Sequence, residues 1–349
     1  MNPENKIKAM KAVYCYFFPE VRSIIKEVGS RIPDEMFLVS ADAQDIESKL
    51  YPLFSPKLEI PSTDGKIDLD SIHLPIIKRI SEIYEPIVPG LENFAHSYPT
   101  SGSSEGLFHF LVQLKTKGVE SISVLKGEYE GYEVQAANIG LNVKRRGLEE
   151  ALGCKGEHWF ISNPSARDGN ILPDEFIKQL CDNENRLIVD LAYVGATRPH
   201  AFEIGHENII GTVMSFSKPY GVFRFRIGGF AFSRGEVPSL YGNKWFKDVP
   251  ALFTALKIAE DIDPQRLYGV YRPKQERIVS GINSEFSLGI RPSDSLLLGY
   301  LDEWQANSLP RERKKMIEPF KRDTGYRFCL TPYYEELELN PEQGKEGKR

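Results

Sequence analysis

The sequence predicts an α/β fold: a large domain on a mostly parallel central sheet flanked by helices, and a smaller α+β domain built from both chain ends. Two observations carry this. From Pro99 onward, apolar runs of strand length alternate with stretches of helical spacing. Strands that alternate with helices pair in parallel, because the chain has to cross back over the sheet between them. Before Pro99 and after Pro250 the alternation gives way to helical and mixed segments.

The first element reads as a helix over about 6–28, where Ile7, Met10, Val13, Tyr14, Phe17, Val21, Ile24 and Ile25 recur at helical intervals. A mixed stretch follows, with Pro52, Pro56, Pro61 and the turn signal Thr63-Asp64-Gly65. Residues 75–85 read as a helix, with proline in its first turn and Pro86 as its stop. Residues 121–125, 141–143, 159–161, 187–189, 209–214 and 227–232 read as buried strands, with helices at 104–115 and 173–180 between them. A longer helix is expected at 251–262, and 341–349 as a polar, disordered tail. The domains then fall at 1–48 (first part of the small domain), 49–245 (large domain), 246–340 (rest of the small domain) and 341–349 (tail).

The hydrophobic content of 41% and charged content of 27% are those of a globular protein, and 349 residues suggest about two domains. A net charge of −5 argues against nucleic acid or an anionic membrane surface as partner. Cys15, Cys154, Cys181 and Cys329 form no close pair, and the six histidines show no ligand spacing. That argues against a disulfide framework or a metal site and fits a reducing compartment. With no signal-peptide pattern and no apolar run of membrane length, the expectation is a cytoplasmic protein.

The chemistry starts at Ser215-Phe216-Ser217-Lys218-Pro219-Tyr220-Gly221, followed by Arg226-Ile227-Gly228. A lysine among hydroxyls, with an arginine shortly after, suits an aldehyde cofactor bearing a phosphate. The amine forms an imine, and the hydroxyls and the guanidinium hold the phosphate. A solvated lysine is the ordinary alternative. Thr100-Ser101-Gly102-Ser103-Ser104, before a helical run, offers free N–H groups as an anion cradle or serves as a plain helix cap. Tyr129, in Gly127-Glu128-Tyr129-Glu130-Gly131-Tyr132 after a strand, can stack on a flat ring or simply pack. Asn163, in Ser162-Asn163-Pro164, can donate to a ring oxygen or form a turn. Asp190 closes the apolar run 187–189, where a carboxylate is costly unless paired. A pyridinium nitrogen is a suitable partner and a buried salt bridge the alternative; Tyr193 could reach the same ring.

In order and spacing these residues resemble the fold-type I pyridoxal-phosphate enzymes, specifically the class I/II aminotransferases such as the aspartate and histidinol-phosphate enzymes. The most specific part is Ser-Phe-Ser-Lys-x-x-Gly-x-x-x-x-Arg-x-Gly at 215–228. The resemblance implies pyridoxal 5′-phosphate as cofactor, with Lys218 as its imine-forming lysine and Asp190 as partner of the pyridine nitrogen. It implies Tyr193 and Asn163 at the ring oxygen, Tyr129 stacked on the ring, and Ser103, Ser104, Ser215 and Arg226 at the phosphate. Arg327, in Gly325-Tyr326-Arg327-Phe328, stands where the family keeps an arginine for the substrate carboxylate. A homodimer is implied too. The implied reaction moves an amino group between an amino acid and a 2-oxo acid, with Lys218, Asp190 and Tyr193 as the catalytic set. Other pyridoxal-phosphate chemistry (lyase, decarboxylase or oxidase) is the alternative, and a non-catalytic binding protein the second. Two departures stand out. The usual Asn-Pro-x-Asn-Pro-Thr-Gly loop reads Asn163-Pro164-Ser165-Ala166-Arg167-Asp168-Gly169, and 67–80 has no tyrosine to send to a partner's phosphate.

Overall fold

The protein, a computed structural model, is described over residues 7–10, 16, 18–30, 70–222, 225–244 and 247–339. Its center is a seven-stranded sheet of β1 (His96–Thr100), β2 (Ser121–Leu125), β3 (Asn142–Arg146), β4 (His158–Ser162), β5 (Arg186–Leu191), β6 (Ile209–Ser215) and β7 (Gly229–Ser233), in the order β1-β7-β6-β5-β4-β2-β3. Strands β3, β2, β4, β5 and β6 run parallel, while β7 is antiparallel to both β6 and β1. The parallel strands therefore end on one edge, and register sets Ser162 beside Asp190 and Asp190 beside Val213.

Alternation along the strands sorts their side chains to two faces. Val124, Phe160, Ile188 and Val213 pack with Leu107, Phe110 and Leu111 of the helix Ser103–Thr116. Leu125, Trp159, Ile161, Leu187 and Val189 join the core on the other face, which includes Ile177 and Leu180 of the helix Asp174–Asp182. Asp190, two residues past Ile188, thus belongs to the face of the first helix.

A second sheet is antiparallel: β8 (Arg291–Pro292), β9 (Leu298–Asp302), β10 (Lys321–Arg322) and β11 (Gly325–Cys329), in the order β10-β11-β9-β8. Both chain ends meet there. Tyr16 and Phe18 pack on Tyr271 and Tyr334, with ring centroids 4.5 Å apart for Phe18 and Tyr271. Met10 exchanges main-chain hydrogen bonds with Cys329 of β11.

The expected strands are all present, and several run further than their apolar stretches. β3 continues through Arg146 because it is an edge strand with solvated side chains. Three elements differ from expectation. Residues 7–9 are not helical and Met10 bridges to Cys329 of β11; the helix begins at Pro19, where a fixed φ and a missing N–H cost nothing. The helix around Pro75 starts earlier, at Asp70, leaving the proline inside at the loss of one main-chain hydrogen bond. β1 was not expected; it tolerates Pro99 because it is an edge strand. The domain boundary at 48/49, the turn at 63–65 and the tail 341–349 lie outside the described residues. Among the described residues no helix is long and apolar enough to cross a membrane.

One close backbone approach locks the sheet to the start of the helix Ser103–Thr116. A Cβ on Gly229 would lie 2.2 Å from the Gly102 nitrogen and 2.5 Å from the Thr100 oxygen, both main-chain atoms that cannot swing aside. Gly229→Ala is expected to destabilise the protein by about 1–3 kcal/mol, the cost of overpacking. Urea unfolding tests this; an unchanged midpoint would contradict the contact.

Candidate active site

The segment joining β6 to β7 makes the first wall of the site. Ser215 ends β6, and its Oγ accepts the Ser217 N–H at 3.1 Å. The Phe216 N–H donates to the Gly228 carbonyl at 2.6 Å and the Tyr220 N–H to the Phe216 carbonyl at 3.1 Å, which curls the chain into a turn carrying Lys218. Phe216 and Tyr220 are buried below and fix the turn to the core. The facing wall is the start of the helix Ser103–Thr116. Its cap, Gly102, has φ 123°, a conformation that glycine adopts without strain. A Cβ there would come within 3.7 Å of Ser217 Oγ and 3.9 Å of both Ser215 Oγ and Arg226 Nη1. Two hydroxyls, a guanidinium and the helix N-terminus therefore converge on one point. Ser217 Oγ is buried there without a hydrogen-bond partner. Arg226 itself has φ 55°, a left-handed conformation that costs a non-glycine residue about 1–3 kcal/mol and persists where a site requires it.

Asp190 forms the floor. It is buried, and its Oδ2 accepts the Tyr132 hydroxyl at 2.9 Å while Oδ1 accepts the Ala192 N–H at 3.0 Å. Burial pushes its carboxyl above the usual range, against the opposing pull of Lys218, Tyr132 and Ala192. Lys218 Nζ lies 4.1 Å from the centroid of the Tyr193 ring and 5.7 Å from that of Tyr129. Tyr129 OH is 3.1 Å from Ser104 Oγ, tying the aromatic wall to the helix start.

Ser103, Ser104, Tyr129, Asp190, Ser215, Lys218 and Arg226 line a single cavity of about 150 Å³ with Gly102, Ala192 and Ser217. Tyr193 adds the ring beneath Lys218. Two expected residues are not on this wall. Asn163 is buried; its N–H donates to the Asp190 carbonyl at 3.0 Å and its Oδ1 accepts the Leu172 N–H at 3.0 Å. It borders a separate, larger hollow of about 370 Å³ on the other face of the sheet, beside Val189 and Leu191. Arg327 is buried in β11 and donates to the Ala166 carbonyl in the loop after Asn163.

Residue-type reasoning passed over Tyr132, Ser217 and Glu128. Tyr132 carries one readable signal, its spacing of three from Tyr129 on a helix, which puts both rings on one face. Glu128 is buried and accepts the hydroxyls of Ser162 at 2.5 Å and Ser165 at 3.2 Å. Burial raises its carboxyl to about 7, although both serines and Arg167 pull it down. The small sheet docks beside these residues. Arg322 pairs with Glu130 at 2.6 Å, and Asp323 accepts the Gly127 N–H at 3.2 Å. Burial and the nearby Arg327 lower the Arg322 guanidinium from its ordinary value.

Known proteins resemble this chain in part of its sequence and in its fold. Residues 118–258 match the family model for class I and II aminotransferases. Histidinol-phosphate aminotransferase of Syntrophotalea carbinolica is 28% identical over 138 residues, which is 37% of this chain and 39% of that relative, so the match spans well under half of the relative's length. The pyridoxal-phosphate-bound C-S lyase of Staphylococcus hominis superposes with a TM-score of 0.65 at 11% identity, over 98% of this chain and 91% of that one. Aspartate aminotransferase of Thermus thermophilus gives 0.58 at 14% identity, over 78% and 81%.

The cavity suits pyridoxal 5′-phosphate, the group bound by the C-S lyase that shares this fold. The Ser217 hydroxyl, without a hydrogen-bond partner among the described residues, and the space at Gly102 face a common point fit for a phosphate, and the buried Asp190 carboxylate offers a negative charge at the other end.

Two outcomes are expected of the protein without cofactor. Tyr132→Phe leaves the buried carboxylate short of a donor and costs about 1.5–3 kcal/mol in urea unfolding. The same change costs markedly less in an Asp190→Asn background, and equal costs would break the link between them. Because the Glu128 carboxyl is raised in the folded state, its proton stabilises the fold fully below about 4.5, and that stability is lost as pH rises through about 7. Glu128→Gln, with no proton to lose, should flatten this fall, which is on the order of 3 kcal/mol. Parallel pH profiles of the melting temperature for the two proteins would disprove it.

Proposed function

We propose that this chain is a fold-type I pyridoxal-phosphate protein of the class I and II aminotransferase family and that it moves an amino group between an amino acid and a 2-oxo acid. The observation that carries the reading is the meeting of Lys218, Asp190 and the anion cradle in one cavity at the edge where the parallel strands end. When bound, the cofactor supplies an electrophilic aldehyde carbon and a ring that accepts the electron pair of an α-carbanion.

The chain's own residues do the rest. Ser215, Ser217, Arg226 and the N–H groups opening the helix Ser103–Thr116 hold the phosphate. Asp190 keeps a proton on the ring nitrogen, and its two neutral donors hold the carboxylate in place for that task. Tyr129 covers one face of the ring. Tyr193 acts at the ring oxygen, while Asn163, off the cavity wall, braces Asp190 through its main chain. Lys218 Nζ moves the proton between the α-carbon and the carbon that becomes the amine carrier. Arg327 grips the α-carboxylate through its planar guanidinium, with Arg322 adding positive charge nearby. The reading brings with it a homodimer, which sedimentation would test.

A second reading is cleavage of a carbon–sulfur or similar bond on the same cavity. It is favored by the altered loop after Asn163 and by the likeness in fold to a C-S lyase. A screen of amino donors separates the two. Transamination converts the visible absorbance of the loaded protein to that of the amine form, which a 2-oxo acid reverses. Elimination releases ammonia and leaves the spectrum cycling back. No conversion with any donor would sink the first reading. Borohydride is expected to fix the cofactor on Lys218. Lys218→Ala should abolish turnover, and Asp190→Ala should slow proton transfer by about 100-fold or more. Near-normal turnover by either variant refutes its role.

A further inference from the structure

Glu128 is a buried carboxylate with no task in the reading above. It stands just past β2, 5% exposed, and its two oxygens accept the hydroxyls of Ser162 (1% exposed) and Ser165 (0%). Among the described residues no ion pair reaches it; the guanidinium of Arg167 acts through space and pairs with Asp168 instead. A buried acid without a cation is costly to keep, so its contacts deserve a physical account.

The two serines supply one. Ser162 Oγ donates to Glu128 and accepts the Ala166 N–H at 2.6 Å; Ser165 Oγ donates to Glu128 and accepts the Arg167 N–H at 3.3 Å. The carboxylate thus orients both hydroxyls so that their lone pairs meet two consecutive main-chain amides. The loop gripped in this way is the one that departs from the family pattern. At one end Asn163 binds the main chain of Asp190, and in the middle the Ala166 carbonyl accepts Arg327 from the small sheet. A fixed Ala166 carbonyl fixes the Arg327 guanidinium, and the whole chain of contacts starts one residue before Tyr129, which walls the cavity.

We propose that Glu128 is a positioning residue: through Ser162 and Ser165 it fixes the 162–170 loop, and through Ala166 it sets where Arg327 meets the substrate. The loop contacts stand on geometry alone, whereas the consequence for substrate rests on reading Arg327 as the carboxylate partner.

Residue-resolved hydrogen exchange on the protein without cofactor tests the first part. In Glu128→Ala the Ala166 and Arg167 amides should exchange about tenfold faster, while Gly169, bonded to the Ser165 carbonyl, changes less. Steady-state kinetics of the loaded enzyme tests the second. KM for the amino donor should rise about fivefold or more with kcat changed by less than about twofold, because ground-state and transition-state binding are lost together. Glu128→Gln, which keeps one acceptor oxygen, should restore much of both. Unchanged exchange in a folded Glu128→Ala protein overturns the proposal, as does faster exchange with an unchanged KM. Should Glu128→Ala not fold, Glu128→Gln and Ser165→Ala take its place, and unaltered Arg167 exchange in both overturns it. The exchange experiment needs neither cofactor nor substrate, so a failed donor screen would strike the proposed reaction and not the loop anchor.

Discussion

The carboxylate of Asp190 is the constraint around which this site is arranged. It sits at the end of a buried parallel strand, where an uncompensated charge costs several kcal/mol. Two neutral donors, Tyr132 and the Ala192 amide, satisfy its lone pairs without cancelling its charge. Lys218 is the nearby cation, and its pull opposes the burial that raises the Asp190 carboxyl. A protonated ring nitrogen, the partner proposed for Asp190, would add a second cation at this floor.

The phosphate end works from the opposite requirement, an excess of positive potential assembled before any anion arrives. A helix N-terminus, two serines and Arg226 face one another across a gap kept open by the absence of side chains at Gly102 and Gly229. Arg226 brings its guanidinium to that gap from a left-handed backbone conformation, φ 55°. Both ends lie on one edge because parallel strands deliver all their last residues there, and the β6–β7 hairpin brings the lysine turn back over it.

The sheet and most of the cavity were legible in the sequence because their signals are local. A buried parallel strand is an apolar run, and Asp190 and Ser215 lie at the C-terminal ends of two such runs, with Tyr129 in the turn after a third. What escaped was set by distant contacts. Nothing near Tyr132 announces that its hydroxyl meets a carboxylate 58 residues away. The pairing of Met10 with Cys329 depends on the two chain ends meeting, which periodicity in the first thirty residues could not report. Helix 70–84 was read too short because proline marks a first turn more often than an interior.

The loop after Asn163 closes through its main chain and leaves its side chains for other contacts. Where the family has Asn-Pro-Thr, this chain has Ala166-Arg167-Asp168, yet the loop closes on its own main chain: the Ser165 N–H meets the Asn170 carbonyl at 2.8 Å and the Gly169 N–H meets the Ser165 carbonyl at 2.8 Å. Those bonds are indifferent to side chains. The side chains instead decide what the loop leans on, and here it leans on a buried acid at the end of β2 and on the small sheet through Ser293, whose hydroxyl donates to the Asp168 carbonyl at 2.5 Å. Substrate-side geometry is thereby tied to both sheets at once. A substitution in either sheet can thus move Arg327 without touching the cavity that Lys218 and Asp190 line.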